Sequence, residues 1–205
     1  MKWNPSKWPI LSISGVSVIV LYCVFTFTSY ALYPSPFSPL TNYLSRLGDY
    51  PYNPSGAVFY NLGCILTGLA LFPFYLGLFK WYTKETWRKE LIIAAQVIGM
   101  CSAFALMMIG VFSEDTGKPH LFWSGAFFTL NFIVLILVNT ALITRPKFMK
   151  AIGLYGYTVT ILSLVLSLLS DSIVSGSIVE WFTVFSALGF VGLLVYNTFK
   201  LGHIK

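Results

Sequence analysis

The chain has 205 residues, 57% of them apolar and only 10% charged, with a formal charge of +6. Soluble domains carry roughly a quarter charged residues, so this composition, with a mean hydropathy of +0.76, excludes a water-soluble globule and makes lipid the expected solvent. A stretch of about 20 apolar residues crosses a bilayer as a helix, the form that satisfies its own backbone there.

Six such stretches follow in order: about Ile10–Leu32, Gly56–Phe79, Leu91–Phe112, Leu121–Ile143, Ala151–Leu169 and Ile178–Phe199. None alternates as a membrane β-strand does. The expected fold is all-α, a single polytopic domain of six transmembrane helices in the cell membrane. Met1-Lys2 before an apolar run also describes a signal peptide, and Ser29-Tyr30-Ala31 fits a small-x-small cleavage site. The run is longer than the 7–15 residues of a signal core, so a retained first helix is expected.

Eleven of the thirteen Lys and Arg fall on one side of this topology; Arg46 and Lys118 are the other two. The positive-inside rule then places both termini in the cytoplasm. The basic loops are read as orienting the chain and touching anionic headgroups, which makes nucleic acid an unneeded partner. The acids run the other way. Asp49, Glu114, Asp115, Asp171 and Glu180 map to the outer side, and Glu85 and Glu90 to the inner.

The first outer connection, 33–55, holds five prolines. Within it "SPLTNYLSRLG" reads as a short helix, with Ser38 as N-cap, Pro39 at the first position and Gly48 just past the end. Leu40, Tyr43, Leu44 and Leu47 form an apolar stripe opposite Asn42, Ser45, Arg46 and Asp49. Such a helix lies in the interface or folds over the bundle as a lid. Asn53-Pro54-Ser55 is no glycosylation acceptor, because proline fills its middle position.

The third helix carries a seam of Gln96, Gly99, Ala103 and Gly110; the fifth carries Gly153, Gly156, Thr160, Ser163, Ser167 and Ser170. Small residues let helices approach closely, within the chain or in a homo-oligomer or larger membrane complex. Cys23, Cys64 and Cys101 all fall inside spans and read as small packing residues without metal spacing.

Between helices three and four stands "GVFSEDTGKPH", which packs two acids, a lysine and the one histidine outside the C-terminal tail between two apolar runs. His120 and Ser124 share a helix face, continued inward by Asn131. A histidine near acids is suited to act as a general base or a metal ligand. Asn61 and Glu180 arrive from the second and sixth helices on the same side, Glu180 in a first turn where the helix dipole favours an acid. Each has a plainer reading: Asp115 and Asp171 as solvated loop acids, Glu180 as a helix-terminal charge, His120 as an interfacial histidine. Their convergence on one face argues for a site. His120, Glu114, Asp115 and Glu180 are its catalytic candidates, and Asn42, Ser45, Arg46, Asn61 and Ser124 its substrate-binding candidates. A divalent metal is left open. Haem, nucleotide and retinal are not expected: His203 in the tail is the only other histidine, no Gly-rich phosphate loop exists, and no lysine lies deep in a span.

These motifs, with "AVFYNLGCILTGLALFPFYLGL" and "VEWF", resemble the domain-of-unknown-function family 998, six-helix membrane proteins of about this length from archaea and bacteria. Asn42, Ser45, Leu47 and Gly48 fit its first element and Asn61 and Gly63 its second. Gly110, Val111, Phe112, Glu114, Asp115 and His120 fit the third, and Glu180 the fourth. Ser113 stands where the family often has proline and Arg46 where an acid is frequent, which argues against a metal role at position 46. The resemblance implies a six-helix fold and no activity. The function expected from the residues is binding or processing of a membrane lipid or other amphipathic small molecule at the outer face. The alternative is a structural or accessory subunit, or a small transporter, whose polar groups lock the outer loops together.

Overall fold

The structure, a computed structural model, describes residues 9–169 and 176–203. Its α-helices are α1 (Ile10–Ala31), α2 (Ala57–Leu76), α3 (Thr86–Val111), α4 (Lys118–Leu142), α5 (Lys150–Leu169) and α6 (Gly176–His203). All six are long and apolar enough to cross a membrane, and the described residues contain no strand. The chain is a multi-pass membrane protein. We call the end where α1 stops and α6 starts the distal end, and the opposite one the proximal end.

The expected spans correspond one for one with helices, and the differences lie at their ends. Helix α3 starts five residues before the expected Leu91, because Trp87-Arg88-Lys89-Glu90 is helical but too polar to count as a span. Helix α2 stops at Leu76 rather than Phe79. Pro73 removes a backbone donor near its end, and the chain tightens into a 3-10 turn over Gly77–Trp81. Gly77 lies directly on the backbone of Leu11, a contact that any side chain there would prevent.

Helices α1 to α4 pack as successive antiparallel neighbours, α6 closes onto α1, and α5 bridges α4 and α6 more loosely. The small-residue seams sit in these contacts. Gly99 receives the ring of Tyr75, Gly110 meets the backbone of Asn61, and Gly156 meets Asn139. On α5 the buried seam runs from Gly153 to Ser163, and Thr160 bonds the carbonyl of Gly156 in its own helix at 2.8 Å. Cys64 is buried, Cys23 half-buried and Cys101 exposed, all three as free thiols.

Two basic residues do more than orient the chain. At the proximal end Arg145 donates to the carbonyl of Trp81 at 2.7 Å and Arg88 to that of Ala141 at 3.0 Å. They satisfy carbonyls left free where helices end.

The 38–48 segment departs from the expected helix. Ser38 does cap a first turn, its Oγ accepting from Leu40 N at 3.2 Å, and Asn42 N donates to Ser38 O at 2.8 Å. The helix then stops, because α6 takes its next backbone groups. Glu180 accepts from Leu44 N at 2.7 Å, and the Trp181 indole donates to Asn42 O at 3.1 Å. The chain resumes as a 3-10 helix over Leu44–Gly48. The apolar stripe is thereby split: Leu44 and Leu47 are buried, while Leu40 and Tyr43 are exposed. The segment does not form one continuous helix; its second half is set into the distal end of the bundle.

Candidate functional site

Three side chains fix the Leu44–Gly48 turn from below. Asn53, 0% exposed, donates to Leu47 O at 2.8 Å and to Ser29 Oγ at 2.9 Å, and its Oδ1 accepts from Gly56 N at 3.1 Å. Ser29 Oγ donates to Leu47 O at 3.0 Å, and Asn61 Nδ2 to Gly48 O at 2.9 Å. Asn61 is thus a clamp on the turn. Asn53 and Ser29 hold this turn in a way the sequence does not announce, since their role depends on a carbonyl brought from elsewhere in the chain.

Charges converge beside this turn. Arg46 bonds Asp49 Oδ2 at 3.0 Å, lies 3.5 Å from Glu114 Oε1, and stacks over the Tyr52 ring at 4.3 Å. Asp49 is only 4% exposed. Asp49 Oδ1 and Glu114 Oε2 are buried with no hydrogen-bond partner among the described residues. Burial pushes the Glu114 carboxyl above its ordinary value; Arg46 opposes that shift, Asp49 adds to it, and the Ser45 hydroxyl opposes it. Ser45 faces Glu180 as well.

His120 opens α4, one residue after Pro119 in its first turn, as the sequence led one to expect. It is 4% exposed, with Nδ1 2.8 Å from the carbonyl of Phe112. A carbonyl only accepts, so Nδ1 carries the proton. In the neutral ring Nε2 keeps its lone pair, and it has no hydrogen-bond partner among the described residues.

Beside these groups a cleft of about 610 Å³ runs down between α4, α5 and α6. Tyr43, Ser45, Glu114, His120, Ser124 and Glu180 line its distal part; Leu121, Phe128, Phe132 and Val179 are among its apolar walls. Gly125 lines it too, and a Cβ added there would meet nothing within 4 Å. Below lies a smaller cavity of about 60 Å³ that shares Phe128 and Thr183 with the cleft and includes Asn131.

The expected residues therefore divide. His120, Glu114, Glu180, Ser45 and Ser124 share the cleft. Arg46 touches it only through Glu114. Asp115 is exposed and is not among the residues lining the cleft, Asn42 accepts from Ser38 N at 3.2 Å in its own turn, and Asn61 is spent on Gly48. Asp171 lies outside the described residues. Glu180 is not in the first turn of α6, which begins at Gly176; its carboxylate answers the Leu44 amide. Helix α2, from which Asn61 was expected to reach the site, does not line the cleft. No three His, Cys, Asp or Glu among the described residues are grouped to hold a metal ion.

The chain belongs to the family described as "Protein of unknown function (DUF998)", whose model matches residues 16–197. No curated protein and no solved structure matches it.

Proposed function

We propose that this member of the family is a protein of the cell membrane that binds a membrane lipid, or another amphipathic small molecule, in the cleft between α4 and α6. The observation that carries the reading is the division of the cleft's lining. The ionisable groups gather at the distal end, and Phe128 and Phe132 line the walls below with the hydroxyls of Thr129 and Thr183. Ligand pockets span about 300–1,000 Å³ and are mostly apolar with a few convergent polar groups; this cleft has both properties. His120 presents Nε2 while Phe112 holds the other ring nitrogen. That arrangement suits a proton acceptor acting on the polar end of the bound molecule.

The competing reading is a structural or accessory subunit, or a transporter without catalytic activity. It is favoured by Arg46 tying Asp49 to Glu114 and by Glu180 tying α6 to Leu44. Gly125→Leu separates the two, since it fills the cleft without a clash at Cβ and leaves every one of those bonds in place. Wild type and variant are purified in mild detergent and their retained lipids quantified by mass spectrometry. A species enriched over the bulk membrane in wild type and lost in Gly125→Leu supports a ligand site. Identical, bulk-like lipid in both rejects it and leaves the clasp.

A further inference from the structure

The polar end of the cleft offers acceptors and lacks cations. Glu114, Glu180, the free Nε2 of His120 and the Ser45 oxygen line it, and no Lys or Arg is among the described residues that do. The guanidinium of Arg46 is taken up by Asp49, Glu114 and the Tyr52 ring. Lys118, one turn from the cleft on the same helix, is exposed. Asp49 and Glu114 therefore share one guanidinium at the end of a membrane bundle, and Glu180, whose carboxylate accepts from the Leu44 amide, has no cation paired with it among the described residues. Half-buried charge that is not compensated is costly. The buried Oε2 of Glu114 has no partner among the described residues, and His120 is 4% exposed with one nitrogen uncommitted.

A ligand that matches these groups brings N–H donors and positive charge. Phosphate or carboxylate would face Glu114 and Glu180 with the Tyr43, Ser45 and Ser124 hydroxyls to donate to it but no Lys or Arg on the described lining. A trimethylammonium group has no N–H to give and relies on an aromatic cage, whereas Tyr43 is the one aromatic ring among the polar groups here. Resting on the ligand-site reading above, we infer that the cleft selects an amphiphile whose head is a primary ammonium, held by Glu114, Glu180 and His120, with its apolar tail along Phe128 and Phe132.

The test compares single-chain probes with one common tail: hexadecylamine, hexadecanol, hexadecyl phosphate and hexadecyltrimethylammonium. Each is titrated below its micellar concentration into the full-length protein, and binding is read by native mass spectrometry. Hydrogen bonds to charged groups contribute about 1.5–3 kcal/mol, and about 1.4 kcal/mol is a factor of ten. Hexadecylamine should thus bind at least about tenfold tighter than hexadecanol, with hexadecyl phosphate weakest. In the Glu114→Gln, Glu180→Gln double variant the amine should fall to the level of the alcohol. Glutamine at 180 keeps an oxygen for Leu44 N, and thermal unfolding confirms that the variant is folded. Equal binding of all heads, or preference for the phosphate, with Gly125→Leu still blocking each probe, overturns the ammonium assignment and leaves the cleft a ligand site. Binding indifferent to Gly125→Leu overturns both.

Discussion

Arg46 is set between two acids, Asp49 and Glu114, and its substitution tests how far they depend on it. Its side chain is 30% exposed and that of Asp49 only 6%. Losing one partner of a fully buried pair costs about 3–5 kcal/mol. Partial exposure reduces this, so Arg46→Met should lower stability by about 1–3 kcal/mol in detergent thermal unfolding. Adding Asp49→Asn removes the stranded charge and should return part of the loss, a non-additivity expected of contacting groups. Arg46→Lys should restore little, since an ammonium cannot pair twice and stack on Tyr52 as a guanidinium does. Glu114 gives the pH dependence. Its carboxyl is raised above 4.5 by burial, against the pull of Arg46. The folded state therefore holds its proton more tightly than the unfolded chain. This stabilising contribution is complete below 4.5 and is lost as pH rises through the folded value. Over that mildly acidic interval the melting temperature of wild type should fall with pH more steeply than that of Glu114→Gln. Parallel slopes would show that Glu114 is not the group responsible. A bound ammonium head would draw the carboxyl back down, so hexadecylamine should flatten the wild-type slope.

At the scale of elements, the 3-10 turn over Leu44–Gly48 is held by side chains from α1, α2, α6 and its own connection. Asn53 makes three of these bonds from a fully buried position. A buried group left unpaired costs about 1–3 kcal/mol, and Asn53→Ala strands the Gly56 amide, while the Leu47 carbonyl keeps only its bond from Ser29 Oγ. We expect a loss of about 1–3 kcal/mol by that reckoning, with faster hydrogen exchange concentrated in residues 44–56. Uniformly faster exchange would mean that Asn53 supports the whole bundle rather than this turn. The same segment shows where sequence ceases to inform. Ser38, Pro39 and Gly48 carry real local signals, and the first turn forms as they direct. Its continuation is ended by Glu180 and Trp181, well over a hundred residues away, through bonds to Leu44 and Asn42. No local pattern announces that. His120, Glu114 and Glu180 were recognisable because charge is rare in this chain. Gly125 and Phe132 were not, because one glycine or phenylalanine among apolar residues looks the same whether it faces lipid, a neighbour or a cleft.

For the molecule as a whole, helix number and order were readable because lipid sets both the length and the composition of a span. Orientation is a separate matter that charge decides, and it determines which leaflet can supply the cleft. Because eleven of thirteen basic residues fall in the sequence segments that the topology assigns to one side, the positive-inside rule predicts that the proximal end faces the cytoplasm. Arg88 and Arg145 also hold carbonyls of neighbouring segments, so the charges that orient the chain are partly fixed by packing and are poor candidates for exchange. The exposed distal loop is the better probe. In a background with Cys101, the exposed native thiol, changed to Ala, a cysteine placed at Asp115 should react with a membrane-impermeant maleimide on intact cells. One placed at Lys84, an exposed proximal position, should react only after the cells are opened. The reverse pattern would turn the bundle over and make the inner leaflet the source of any ligand. If the pattern is as expected, the acceptor-lined end of the cleft faces the outer leaflet. A head entering it would then do so on the side where the chain itself supplies almost no positive charge.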